Sequence, residues 1–323
     1  MEKPEILILG GSGFIGSKMA VYLVSLGLKG KLVMFSSVEN QDPLLNQEMQ
    51  FITGQVKREE IFSLIGRYRP ALIFNLMGRV WASYPGDFYQ SNLQAFVDLL
   101  EAVREEKGRT PTYQPRIIQM GSAAVYGEVE NFPITEETPL NPVEHYGISK
   151  EAAARLVRLY FRKYQLQIVE ARSFNVLGPG MPEKLSLSSF ARQIALIEHG
   201  KKEPVLEAGN VSPKRDYLDV ADLCEGLWLL SRQGRSGEVY QLCSARAYAI
   251  ANLLEIMLNM AKVRIEVKIS PPLQRAIDPP ELRGSFDKIN RETGWKPRIP
   301  IEESLKRLLD YWRNRLKNPG GSA

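Results

Sequence analysis

The chain has 323 residues, 44% hydrophobic and 24% charged, the proportions of a globular chain long enough for one large core or two of ordinary size. Its 42 Lys and Arg against 37 Asp and Glu leave a net charge of +5 with no basic block longer than Lys201-Lys202, which speaks against a nucleic-acid-binding stripe. His145 and His199 are too few and too far apart for a metal site, and Cys224 and Cys243 stand at no metal-ligand spacing in apolar surroundings, where they read as reduced core residues.

The first apolar run, Ile6-Leu7-Ile8-Leu9, is too short for a signal sequence or a membrane span, and the expectation is a cytoplasmic protein with no membrane partner. The run reads as a buried strand and leads directly into Gly10-Gly11-Ser12-Gly13-Phe14-Ile15-Gly16 and a helical stretch, residues 17–26. Strand, glycine loop and helix in that order predict a dinucleotide site. Gly10 makes the tight turn, Gly13 lets the backbone approach a pyrophosphate, Gly16 lets helix and strand pack closely, and Phe14 and Ile15 open the helix at the phosphate.

Residues 31–35 read as the second strand. After it, where an acid would hold the ribose 2′-hydroxyl of NAD, stand Ser36 and Ser37. A carboxylate there would repel the 2′-phosphate of NADP and two hydroxyls can donate to it, so NADP(H) is favoured over NAD(H). Residues 71–78 form another buried strand reaching a glycine, residues 88–103 an amphipathic helix with Asn92 near its start, and residues 117–120 a strand ending at Gly121. Strands alternating with helices give an α/β fold with a doubly wound parallel sheet of the Rossmann kind.

Ser122 follows that last strand, at the edge of the sheet where ligands bind, and can hydrogen-bond a substrate oxygen. Tyr146 and Lys150 lie four apart in Tyr-Gly-Ile-Ser-Lys-Glu-Ala-Ala-Ala, on one face of a helix running to about residue 164. An ammonium roughly 5 Å from the phenol contributes about 3 kcal/mol at an effective dielectric near 20, which would lower the tyrosine by roughly two pKa units and let it work near pH 7. Each of the three residues alone has a plainer reading. A Tyr-x-x-x-Lys pair is common on helices, and a strand-end Ser is usually a turn residue or a cap.

Residues 168–172 form the next strand, and Ser173-Phe-Asn175-Val-Leu-Gly-Pro-Gly180 opens a second region. Residues 221–230 and 238–242 look like a helix and a strand returning to the first. The expected organisation is a dinucleotide-binding domain of residues 1–175 and 213–245, a smaller mixed nucleotide-sugar-binding domain of residues 176–212 and 246–316, and a disordered tail, residues 317–323.

With the glycine loop, Ser122, Tyr146 and Lys150 in order, the chain resembles the extended short-chain dehydrogenase/reductases that act on nucleotide sugars. Arg172-Ser-Phe-Asn175, Gly209-Asn210 followed by Lys214-Arg215-Asp216-Tyr-Leu-Asp, Arg275-Ala-Ile-Asp278, and Gly294-Trp295-Lys296-Pro297 look like the GDP-mannose branch. Within it the resemblance is to the reductases that turn GDP-6-deoxy-4-keto-mannose into GDP-rhamnose. It implies that Asn175, Arg192, Arg215 and Arg275 face the diphosphate and ribose of the substrate, with Asp278 at the ribose hydroxyls. Arginine suits that task because its planar fork pairs two phosphate oxygens at once.

The same branch contains 4,6-dehydratases, which carry an acidic residue two positions after the Ser or Thr; that position is Ala124, which has no proton acceptor. Dehydration is therefore disfavoured, leaving a reductase, a 4-epimerase with bound NAD, or a catalytically inactive nucleotide-binding homologue. Ser-Ala-Ala-Val-Tyr-Gly is also common among the epimerases, while the absent acid after the second strand favours the reductase. Gln55, and Asn75-Leu-Met-Gly78 with Arg79 following, depart from the family pattern in the cofactor half. The resemblance further implies a homodimer joined through the helices near Asn92 and Tyr146, with Leu93, Phe96, Val97 and Leu100 and Ala152, Leu156 and Leu159 as apolar stripes.

Overall fold

The computed structural model describes residues 5–28, 30–39, 49–270 and 278–317. Strand β1 (Ile6–Leu9) is wholly buried and ends in the glycine loop, from which helix α1 (Phe14–Ser25) starts. There follow β2 (Leu32–Ser36), β3 (Gln50–Thr53), α2 (Arg58–Tyr68) and β4 (Leu72–Asn75). Helix α3 begins as Gly86–Phe88, passes through a π-helical stretch, Tyr89–Gln94, and continues as Ala95–Arg109. Next come β5 (Arg116–Ser122), α4 (His145–Tyr164) and β6 (Gln167–Ser173).

With β10 (Val239–Leu242), these strands form a seven-stranded, all-parallel sheet in the order β10-β6-β5-β4-β1-β2-β3. The order turns back between β1 and β4, so the glycine loop after β1 and the residues after β4 and β5 share one edge, the crevice where doubly wound sheets bind ligands. The strands read as continuous apolar runs because helices cover both faces. Ile8, Met34, Phe74 and Ile118 face one core, and Leu7, Val33, Ile73 and Ile117 face the other. The pair β3 and α2, which the apolar pattern did not reveal, completes the far edge; the strand is only partly buried and shows no run of buried apolar residues.

The rest of the chain builds a second core. Strands β7 (Asn175–Leu177) and β9 (Lys214–Asp219) pair in parallel, and β9 also pairs with β11 (Ala247–Ala249) and β13 (Glu281–Leu282). Strand β8 (Val205–Ala208) pairs with β12 (Glu266–Ile269). Helices α5 (Ser186–Glu198), α7 (Ile250–Asn259) and α9 (Ile301–Lys317) close over one apolar cluster that includes Leu187, Ile194, Leu253, Leu305 and Trp312. Helix α6 (Val220–Gln233) lies on the large sheet, and Trp295 at the end of α8 (Asp287–Thr293) donates its indole N–H to the Asp222 carbonyl, 3.0 Å, which ties the C-terminal segment to α6.

Lys317 is the last residue of α9, so the expected tail is shorter by at least one residue; residues 318–323 lie outside the described residues. Cys224 and Cys243 are both buried and free. No described helix is long and apolar enough to cross a membrane.

Candidate active site

The glycine loop carries its chemistry in its backbone. Gly10 has φ +82°, and a Cβ there would meet the Leu76 carbonyl oxygen at 2.8 Å, so only glycine turns the chain between β1 and β4. A Cβ on Gly16 would run into the Gly10 carbonyl, which is the close helix–strand approach expected from the sequence. Gly13 caps α1 without a side chain, so no N-cap side chain takes up the first N–H groups of the helix, at Phe14 and Ile15. Such an open, positively polarised helix end fits a pyrophosphate. Ser36 is buried and pairs through its hydroxyl with Ser12 of the loop, while Ser37 is exposed.

Beside the loop, Tyr146 and Lys150 occupy the first turns of α4. Tyr146 hydrogen-bonds Ser122, whose Oγ also accepts from the Ala124 N–H at 3.2 Å and so caps the short turn Ala123–Val125. Ser122 is thus both the cap of the plainer reading and the partner of the tyrosine. The Phe88 ring packs on the Tyr146 ring at 6.0 Å. Lys150 is buried and donates to the Met120 carbonyl at 3.1 Å. The Gly78 backbone lies against it, because a Cβ on Gly78 would sit 3.3 Å from the ammonium and 2.6 Å from Asn92 Oδ1.

One expectation is corrected. Tyr146 is raised, not lowered, from its ordinary pKa: burial penalises the phenolate, and the Ser122 hydrogen bond offsets this only in part. The ammonium is turned to the Met120 carbonyl. Burial lowers Lys150 itself to about 8, with the Glu170 carboxylate pulling it back up. The tyrosine is therefore a proton donor at neutral pH.

Asn92 was not among the expected site residues, yet it organises the site. It accepts from the Arg79 N–H at 2.8 Å and donates to the Arg79 carbonyl and to Ser149 Oγ, at 3.1 and 3.0 Å. It thereby fixes the chain after β4 to the helix that carries Tyr146 and Lys150. The only sequence signal was its place near a helix start after a strand–glycine boundary. Beneath the site, Arg172 pairs with Glu170 at 2.8 and 3.1 Å and donates to the Tyr126 hydroxyl, 2.8 Å, which also accepts from Gln241. A buried ion pair holds only when its remaining polar atoms are bonded, and this network does that.

The other expected residues scatter more widely. Asn175 donates to the Asp216 carbonyl at 3.0 Å. Arg215, buried, and Asp278 are brought together and pair with each other, so the two roles expected for them apart are here joined in one ion pair. Arg192 instead pairs with Glu183 at 3.3 Å on the surface of α5, with its side chain 43% exposed. Arg275 lies outside the described residues. Phe96 and Leu100 are fully buried against the large sheet, because α3 presents that face to the core; the outer stripe expected of them is not there, while Ile148 and Leu159 of α4 are exposed. No group of three or more potential metal ligands occurs among the described residues.

A parallel Rossmann sheet with a glycine-loop helix end, and a Ser, Tyr and Lys set at its adjoining strand end, define an extended short-chain dehydrogenase/reductase. The chain belongs to the family described as GDP-mannose 4,6 dehydratase, whose model matches residues 7–308, a group of enzymes acting on nucleotide sugars. It is 30% identical over 319 residues to a GDP-6-deoxy-D-mannose reductase of Pseudomonas aeruginosa, covering 97% of this chain and 98% of that protein. It is 27% identical to a UDP-glucose 4-epimerase of Streptococcus mutans, covering 96% of each. Among solved structures, RMD from Pseudomonas aeruginosa complexed with NADPH matches with a TM-score of 0.80 and 28% identity over 96% of this chain and 99% of that one. A putative epimerase from Burkholderia cenocepacia matches with a TM-score of 0.84 and 25% identity, over 97% and 99%.

Proposed function

We propose that this protein reduces the C4 keto group of GDP-6-deoxy-4-keto-mannose to give GDP-rhamnose, with NADPH as preferred reductant, as a cytoplasmic homodimer. The observation that carries the reading is Tyr146, held protonated by burial and hydrogen-bonded to Ser122, one helical turn from the Lys150 ammonium. Reduction of a ketone needs a proton at the oxygen as hydride arrives at carbon, and a phenol raised in pKa is a donor for that step.

When bound, the nicotinamide supplies the hydride. Gly10, Gly13, Phe14, Ile15 and Gly16 hold the pyrophosphate on the open end of α1. Ser122 orients and polarises the keto oxygen, Tyr146 gives it a proton, and Lys150 holds the nicotinamide ribose and favours return of the proton afterwards. Ser36 at the end of β2 and Ser37 after it, where an acid would hold an NAD ribose, support NADPH over NADH, with the exposed Ser37 as the open donor and Ser36 paired to Ser12. Residues 1–175 and 213–245 carry the cofactor and residues 176–212 and 246–316 carry the sugar nucleotide, which Arg192, Arg275 and Asp278 of the second set hold together with Asn175 and Arg215 at the margin of the first. For Arg215 and Asp278 this requires their ion pair to open or to be shared with the ribose. Ala124 leaves the site without the base that a dehydratase needs. The half-exposed residues beside Ile148 and Leu159 on α4 support a dimer contact through that helix rather than through Phe96 and Leu100.

The test is absorbance at 340 nm with NADPH or NADH and GDP-6-deoxy-4-keto-mannose, the product identified by NMR. Stoichiometric oxidation with GDP-rhamnose formed, faster with NADPH, is the expected result. No oxidation, with NAD retained through purification, replaces the reading with a 4-epimerase, and no oxidation with no nucleotide bound replaces it with an inactive homologue.

A further inference from the structure

Three of the large hydrophobic residues exposed on this protein, Val80, Trp81 and Tyr84, fall in one short loop between β4 and α3. Solvent exposure of a tryptophan is costly, and clustered exposed aromatics mark contact surfaces rather than random surface. The loop leaves the sheet past Gly78, where a Cβ would lie 3.3 Å from the Lys150 ammonium, so Trp81 stands three residues along the chain from the glycine that packs beside that lysine.

The ring is not free on both faces. The Lys184 ammonium sits 3.1 Å from the Trp81 ring centroid. Lys184 belongs to the loop between β7 and α5. Gly180 of that same loop lies on α1, where a Cβ would be 3.7 Å from Phe14 and 3.8 Å from Lys18. The contact thus joins a loop anchored at the catalytic lysine to a loop anchored at the glycine-loop helix, across the crevice between the large sheet and the second core. A cation–π pair at an exposed site contributes only about 0.5–1 kcal/mol, so it can open and close.

We propose that Trp81 and Lys184 form a latch over the sugar end of the substrate cleft, which opens to admit a nucleotide sugar and closes behind it to exclude water, and so helps decide which sugars are accepted. The proposal rests on the reading of the site as a nucleotide-sugar reductase and adds the residues that close it. The apolar ring faces the sugar ring's C–H surface, while the lysine stem and charge hold it in place.

The first experiment needs no turnover. Trp81 emission, taken as the difference between wild type and Trp81→Phe, is followed while GDP-mannose or UDP-glucose, neither of which carries a keto group, is added to the protein with NADPH. A saturable change with either probe, lost in Lys184→Met, is expected. No change with either up to millimolar concentration overturns the latch. The second experiment measures turnover of GDP-6-deoxy-4-keto-mannose. Trp81→Leu and Lys184→Met each raise KM by roughly two- to fivefold, the double variant does no worse than either single, and the NADPH dissociation constant stays within twofold. Additive effects, an unchanged KM, or a shifted NADPH constant overturn the latch. Fluorescence that responds in a wild type that turns nothing over supports the latch and refutes the reductase reading instead.

Discussion

The two ends of the substrate crevice are built differently. On the side of the large sheet, the residues proposed for cofactor and catalysis sit on short local motifs: Gly10 to Gly16 at one strand end, Ser122 at another, Tyr146 and Lys150 one turn apart on α4. On the side of the second core, the residues expected to bind substrate come from separate small sheets and loops, and pairs such as Arg215 with Asp278 meet only because β9 and the chain before β13 come together. Local motifs fix a geometry that a neighbouring substitution barely changes. A site assembled from distant segments is adjusted by whatever each segment does, and that is where related proteins of one fold can diverge in substrate.

Substitutions on the two sides should therefore separate. The largest effect is expected from Tyr146→Phe, which removes the proton donor and lowers turnover by about 10²–10⁴-fold while NADPH still binds. Stopped-flow hydride transfer with binding measured by fluorescence checks it, and near-wild-type rates would mean that another group protonates the oxygen. On the opposite side, Arg215→Met is expected to raise KM for the sugar nucleotide roughly 10- to 100-fold, the scale of a lost charge-assisted contact, with NADPH binding unchanged. Equal losses of NADPH affinity would erase the distinction drawn between the two sides.

Gly16→Ala comes next. Its methyl would push into the Gly10 carbonyl, so a stability loss of about 1–3 kcal/mol and weakened NADPH binding are expected, read by thermal unfolding and by titration. Smallest is the pH effect. Lys150 is lowered to about 8 by burial, so between about pH 8 and its ordinary value the unfolded chain holds this proton more tightly than the folded one. Stability contributed by Lys150 therefore rises with pH across that window, while kcat/KM falls about tenfold per unit above pH 8 as the ammonium is lost. Lys150→Met should flatten both slopes. A falling limb retained in Lys150→Met would assign it to another group.

Much of the first side was legible in advance because its information is local. A buried strand, a glycine loop and a helix start can each be read within ten residues, and a Tyr-x-x-x-Lys pair shares a helix face wherever the helix lies. The direction of the Tyr146 shift was not legible. It depends on how deeply α4 is buried and on the Met120 carbonyl taking the ammonium, both consequences of β5 packing against α4. The role of Asn92 was hidden for the same reason, since its partners at Arg79 and Ser149 are brought to it by the chain after β4 and by α4.

The sequence by itself determined the parallel sheet, the glycine loop at its strand–helix junction, the placing of Tyr146 and Lys150 on one helix and the family, because hydrophobic period, glycine placement and short spacings act over a few residues. Only the tertiary structure decided that Phe96 and Leu100 face the core, that Arg192 pairs with Glu183 at the surface, that Arg215 meets Asp278, and that Lys184 lies over Trp81. Each of these is a contact between segments far apart in the chain, set by packing and charge pairing that no local pattern encodes.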